Sequence, residues 1–270
     1  MSPAAEPDSP WRQFSEAAAA YAATMAPSLR PIAAEVVRRA ELQAGERVLD
    51  LGTGTGIAAA AARGEGRTVF GVDAAPGMLS IARNEVPGVT FQEMDFRDLT
   101  FADATFDVVI AAHALLFAAD QPATLREWQR VTRPGGRLSL SVPGPAAVTP
   151  SAIYGEIYER HGINTVGRYP APETLAATVA AAGWTGVETA TDPTTAVILA
   201  DADAFRTWRG IGLRGSATAE FTPEQHRALT DEMLSATPRL PDGAYRVPFG
   251  ALYLTARRRG EGNAPRRYQA

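Results

Sequence analysis

The chain has 270 residues and a formal net charge of −4, and its 26 positive residues are all arginines. Without lysine or cysteine, it is excluded from Schiff-base chemistry, from a phosphate-loop ammonium, and from disulfides, thiolate metal sites and cysteine nucleophiles. The acidic balance, with no internal basic run, gives no electrostatic footprint for a polyanion, so nucleic acid is not expected as a partner.

In chain order, residues 1–10 are rich in proline and small or acidic residues and are expected to form a flexible arm. Helices are expected over 11–44, followed by a cofactor-binding core over 45–143. Within that core RVLDL (47–51), TVFGV (68–72), VTFQEM (89–94), FDVVIA (106–111) and GRLSLSV (136–142) are short apolar runs, most bounded by Gly or Asp. Alanine-rich helical segments lie between most of them, which predicts a parallel sheet covered on both faces. The helix after the fourth strand is best marked: Asp120 can cap it, Pro122 sits in its first turn, and Arg133-Pro134-Gly135-Gly136 stops it. Residues 170–184 read as a helix that leads into a strand at about 184–191, and FGALYLTAR (249–257) as a closing strand. The irregular segments 144–170 and 192–247 are expected as a lid built onto a single domain spanning 11–257, with 258–270 a flexible basic tail. No stretch approaches 18 uninterrupted apolar residues, and the N-terminus lacks the basic and apolar regions of a leader. The reading is a soluble, cytoplasmic protein that makes no membrane contact.

The stretch VLDLGTGTG (48–56) carries the chemistry. In open parallel sheets a ligand sits beyond the carboxyl ends of the strands, where such a loop presents backbone amides near a helix N-terminus. Glycines at 52, 54 and 56 give a G-x-G-x-G spacing, and Ile57 stands where the dinucleotide fingerprint has its third glycine. Asp50 sits beside the loop, where it would repel a pyrophosphate but suits a ligand carrying an ammonium group. Asp73, seventeen residues after Gly56, is placed to accept both hydroxyls of a ribose. Asp95-Phe96 could take an adenine amino group and cover the ring. The three acids together describe a ligand with an amine, a ribose and an adenine.

With these residues the chain resembles class I S-adenosylmethionine-dependent methyltransferases, in particular the small-molecule group with a ubiquinone-biosynthesis-like core. The blocks that carry the resemblance are WRQF, VLDLGTGTG, GVDAAPGMLSIAR, the acid in EMDF, FDVVIAAHALLFAAD, LREWQRVTRPGGRLSLSV and FGALYLTARR. It implies a Rossmann-like doubly wound seven-stranded α/β sheet whose last strand is antiparallel, with helical lid insertions. It implies S-adenosyl-L-methionine as cofactor and S-adenosyl-L-homocysteine as product, with methyl transfer to O, N or C of a small organic acceptor. By position, Gly52 and Gly54 would line the methionine part and Asp50 would contact it. Asp73 would bind the ribose, Met78 would pack near the adenine with Asp95 and Phe96 at its edge, and Ala111 would offer backbone. Tyr21 and Phe14 would close over the methionine carboxylate.

Because the sulfonium is already a good leaving group, catalysis is largely alignment. His113, just past the fourth strand, is the candidate catalytic residue, as a general base or as a hydrogen-bonding group to cofactor or substrate. His161 is a candidate for substrate contact, and His226 reads as a helix-surface residue. Tyr154, Tyr158, Tyr169, Phe117 and Trp208 could line an acceptor pocket but also read as packing. No metal site is expected, and a homodimer stays open. The rival readings are a protein of the same fold that uses the cofactor without methyl transfer, and an NAD-dependent oxidoreductase.

Overall fold

The computed structural model describes residues 12–163, 170–212, 218 and 220–260. Three helices come first: α1 (Arg12–Glu16), α2 (Ala18–Thr24) and α3 (Ala26–Arg39). The core then alternates β1 (Arg47–Leu51), α4 (Ile57–Ala62), β2 (Thr68–Asp73), α5 (Pro76–Glu85), β3 (Thr90–Glu93), β4 (Phe106–Ala112), α6 (Gln121–Val131) and β5 (Thr132–Pro143). There follow α7 (Ser151–Arg160), α8 (Pro172–Ala181), β6 (Trp184–Asp192), β7 (Ala196–Leu199), α9 (Ala202–Gly212), α10 (Pro223–Ala236), β8 (Tyr245–Pro248) and β9 (Ala251–Arg258).

Seven strands form one sheet in the order β3-β2-β1-β4-β5-β9-β6, in which β9 runs antiparallel to both of its neighbours. The order reverses between β1 and β4, and in such sheets the reversal opens a crevice at the strands' carboxyl ends. Alternation along the strands decides what faces each side. Val48, Val108 and Ile110 pack under α3, α4 and α5, while Leu49, Leu51, Val109 and Ala111 pack against α6 and α8. Asp50 shares the parity of Val48, which carries an acid into the first apolar layer.

The expected strands all form, and Asp120 caps α6 by accepting the Ala123 amide at 2.9 Å. The residues after α6 do more than stop it. Thr132 pairs with Phe106, and the register then shifts so that Arg137 pairs with Val108, which draws 133–136 into β5.

Segment 192–247, expected as loop and helix, also holds β7, and β8 closes it as a separate two-stranded antiparallel sheet. Val197, Leu199, Tyr245 and Val247 on this small sheet, Phe205 and Trp208 on α9, and Leu229 and Met233 on α10 join the apolar layer over α3. Among the described residues no helix is long and apolar enough to cross a membrane.

Candidate functional site

β1 ends by placing Asp50, 1% exposed, at the reversal point of the sheet. Its Oδ2 accepts the Thr53 hydroxyl at 2.6 Å and the Ala59 amide at 2.9 Å. Its Oδ1 is buried without a partner. Burial raises the carboxyl's pKa to about 7, against the two donors, which lower it.

The glycine loop turns through left-handed backbone at each glycine, with φ of +64° at Gly52, +55° at Gly54 and +83° at Gly56. The three differ in what surrounds them. A Cβ at Gly56 would lie 3.1–3.2 Å from Val86, Ala82 and Phe91, so this glycine lets α4 pack on α5 and β3. A Cβ at Gly54 would meet nothing within 4 Å. Gly54 is therefore the position where the loop's backbone is open to a ligand.

At the end of β2, Asp73 accepts the amides of Gly54 at 2.8 Å and Ala75 at 2.9 Å. Burial raises its pKa, and these amides oppose the rise. Tyr21, half-buried on α2, lies near enough for the Asp73 charge to help burial hold its phenol protonated. Met78 is buried against Ala18 and Ala75, with Phe14 and Tyr21 packed alongside. α1 is fixed on α5 through the Gly77 amide, which donates to Ser15 Oγ at 3.2 Å.

Past β4, His113 has a left-handed backbone (φ +57°), which is uncommon for a residue with a Cβ. Its Nδ1 lies 2.8 Å from Ser141 Oγ, its ring stacks on Phe249 at 5.8 Å, and its Nε2 is buried without a partner. Burial lowers the imidazole pKa to about 4, so the ring is neutral at physiological pH.

Tyr21, Asp50, Gly52 and His113 come together as walls of one narrow cavity, joined by Leu29, Ile32, Thr53, Thr55, Ile57, Ala58 and Ala112. The residues in this second group were not picked out from the sequence. Thr55 Oγ1 is also buried without a partner. Three residues that line one space thus each carry a buried polar atom with no partner among the described residues, an arrangement that native interiors avoid unless a ligand or water completes it.

Asp95, Phe96 and Ala111 are not among the residues that line this cavity. Asp95 holds Arg97, with Oδ2 2.5 Å from Nη2 and Oδ1 2.9 Å from Nε. The buried Phe96 ring packs edge-on to Trp128, and its carbonyl accepts the indole N–H at 2.9 Å. Ala111 turns its side chain to the α6 face, while Ala112 lines the cavity.

Of the remaining candidates, His161 Nε2 lies 2.9 Å from Glu232 Oε1 beside a larger groove between α7 and α10, which shares no lining residue with the cavity. His226 sits beside Phe221 on α10. Tyr154, Tyr158 and Trp208 are core residues, and Phe117 is 43% exposed, edge-on to Phe14. Tyr169 lies outside the described residues.

Residues 49–140 match the family model described as "Methyltransferase domain". The chain is 36% identical over 170 residues to demethylmenaquinone methyltransferase of Thermus thermophilus, covering 53% of this chain and 76% of that one. It is 34% identical over 128 residues to malonyl-[acyl-carrier protein] O-methyltransferase of Serratia marcescens, covering 47% and 50%. Phosphoethanolamine N-methyltransferase 2 of Haemonchus contortus, solved with S-adenosyl-L-methionine, superimposes with a TM-score of 0.56 at 19% identity, covering 85% of this chain and 52% of that one. The sheet order, the open glycine loop with its acids and these relatives agree, and neither the oxidoreductase nor the non-methylating alternative is favoured. The chain belongs to the class I S-adenosylmethionine-dependent methyltransferases, enzymes that move a methyl group from that cofactor to an acceptor.

Proposed function

We propose that donor and acceptor meet in the cavity walled by Asp50, Thr55 and His113, and that the described chain forms one catalytic domain. The observation that carries this reading is that three residues lining that space, Asp50, Thr55 and His113, each hold a buried polar atom without a partner among the described residues. S-adenosylmethionine, when bound, supplies an electrophilic methyl group on a positively charged sulfur.

Asp50 Oδ1 would accept from its amino group, and the backbone of Gly52 and the open backbone of Gly54 would line the methionine part. Asp73 would take the ribose hydroxyls. Both of its oxygens already accept amides, but a carboxylate offers about four lone-pair sites. Met78, Asp95 and Phe96 would bound the adenine, Ala111 would contribute backbone at the end of β4, and Tyr21 with Phe14 would close the methionine end. His113 is the catalytic candidate because it lines the cavity at the end of β4 with its Nε2 unmet by any described residue. The apolar walls, Leu29, Ile32 and Ile57, exclude water from it.

The shape of the acceptor is read mainly by the segments outside 49–140. The two curated relatives, each similar to about half of this chain, carry different acceptors in their names, demethylmenaquinone in one and malonyl-[acyl-carrier protein] in the other. We take 144–170 and 192–247 as the acceptor-side segments and the acceptor as a small organic molecule. The net charge of −4 supports a protein without a nucleic-acid partner, and a cytoplasmic location and a homodimer are proposed with it; light scattering tests the dimer.

A co-crystal with S-adenosylhomocysteine tests the site. The expected result places its sulfur beside Ala112 and His113 and its ribose on Asp73. A homocysteine moiety away from Asp50 and His113 would overturn the assignment.

A further inference from the structure

Hydrogen-bond accounting at the end of β4 separates two forms of His113. Ser141 is fully buried on β5. Its Oγ accepts the His113 backbone N–H at 3.3 Å and lies 2.8 Å from His113 Nδ1, while its carbonyl accepts that same N–H at 3.0 Å. Among the described residues, His113 is the hydroxyl's only hydrogen-bonding partner.

If Nδ1 carried the ring proton it would donate to Oγ. The serine proton would then be buried with no acceptor, and Nε2 would face the cavity as a bare lone pair. If the serine donates to Nδ1, every group of the pair is satisfied except an Nε2–H pointing into the cavity. The first arrangement leaves two groups of the pair unmet, the serine proton and the Nε2 lone pair, whereas the second leaves only the Nε2–H, so the second wins.

We infer that Ser141 is a positioning residue that fixes His113 in the Nε2–H tautomer, so that His113 gives the reaction a hydrogen-bond donor and not a base. This rests on the reading of the cavity as the meeting place of donor and acceptor. The stack on Phe249 holds the ring plane, and burial keeps the imidazole neutral, without a second proton on Nδ1.

The consequence is a class of acceptor. A group facing that donor finds no base in His113, which favours an acceptor already deprotonated: a phenolate, enolate or carboxylate whose proton has gone to solvent beforehand. Its electron pair forms the bond to the methyl carbon, at oxygen or at the enolate carbon, and the carbon–sulfur pair returns to sulfur. The positive charge lost at sulfur balances the negative charge lost at the acceptor, and no proton passes to His113.

The test uses 15N-labelled full-length protein with S-adenosylhomocysteine, read by imidazole NMR. The chain has three histidines, so the His113 signals are assigned by their loss in His113→Gln. The expected wild-type pattern at neutral pH is the Nε2–H tautomer, kept in Ser141→Thr and mixed in Ser141→Ala. An Nδ1–H pattern in the wild type, or a Ser141→Ala spectrum identical to it, would overturn the inference.

A second readout is turnover of a matched probe pair, 1-naphthol and 1-naphthylamine. Methylation of the naphthol alone is expected, with kcat falling about tenfold in Ser141→Ala while the KM for the cofactor holds; methylation of the amine alone would count against the oxyanion class. The tautomer is read without turnover, so it stands or falls separately from the assignment of the cavity, which the co-crystal decides.

Discussion

Asp73 accepts the Gly54 amide at 2.8 Å, so the acid expected to hold a ribose also holds the glycine loop in its open shape. Through Ala75 the same carboxylate starts α5. Ligand recognition and loop geometry are thus joined in one side chain, and its loss should be felt in both.

Asp73→Ala should weaken cofactor binding by roughly 1–3 kcal/mol, the scale for removing a hydrogen-bond partner of a charged group, and should also lower the melting temperature. Calorimetric titration with S-adenosylhomocysteine checks the first part. An unchanged dissociation constant would contradict the ribose role.

Gly54→Ala and Gly56→Ala should separate binding from folding. Each places a Cβ on left-handed backbone, at about 1 kcal/mol. At Gly56 the new atom also crowds Val86, Ala82 and Phe91 at 3.1–3.2 Å, so stability falls further. At Gly54 it has open space, and the larger effect should be a drop in cofactor affinity of about tenfold. Urea unfolding and titration of both variants would show opposite rankings; equal losses of affinity would refute the distinction.

The Asp50 carboxyl makes stability depend on pH in a particular direction. Its pKa rises from 3.8 to about 7 on folding. The folded state therefore binds this proton more tightly than the unfolded chain does. Stability of the cofactor-free protein is then lost as pH rises through that window. At about 1.36 kcal/mol for each tenfold change in proton affinity, wild type should lose on the order of 4 kcal/mol relative to Asp50→Asn between acid and neutral pH. Unfolding curves at several pH values measure the difference, and a constant difference would show that Asp50 is not buried as described.

The cavity measures about 30 Å³, close to the volume share of one water molecule, so a nucleoside requires displacement of its cover. Tyr21 on α2 is part of that cover, and α1 before it is fixed to α5 at Gly77, where a Cβ would overlap the Ser15 carbonyl. Gly77→Val should detach α1, raise hydrogen exchange across 12–24 and speed both association and release of the cofactor. Stopped-flow binding with unchanged rates would show that α1 takes no part in admission.

Legibility in the sequence followed the strength of local pattern. β1, β2, β4 and β5 hold near-continuous apolar runs, most of them bounded by Gly or Asp, and α6 carries a cap and a proline. β7 and β8 were missed because each has four residues and they lie far apart in the chain, so nothing local announces their pairing.

In the site, Asp50, Gly52 and His113 were legible because the motif fixes them at strand ends. Leu29 and Ile32 were not, since a residue on a preceding helix reaches the cavity only through tertiary packing. Ser141 could have been suspected from polar residues alternating at 139 and 141 in an apolar strand, but its partner, 28 positions away, depends on strand pairing. Asp95 shows the converse: its place in the order of acids was visible, whereas its engagement with Arg97, two residues on, needed the turn.

Asp192 at the end of β6 is the register partner of Ala251 at the start of β9. Everything between them, the small sheet with α9 and α10, leaves and rejoins the main sheet at one pair of adjacent backbones. The ladder beneath it does not depend on the length of this segment, although its apolar residues pack on α3. A lineage could therefore acquire new acceptors by rewriting 193–250 and leave the glycine loop untouched.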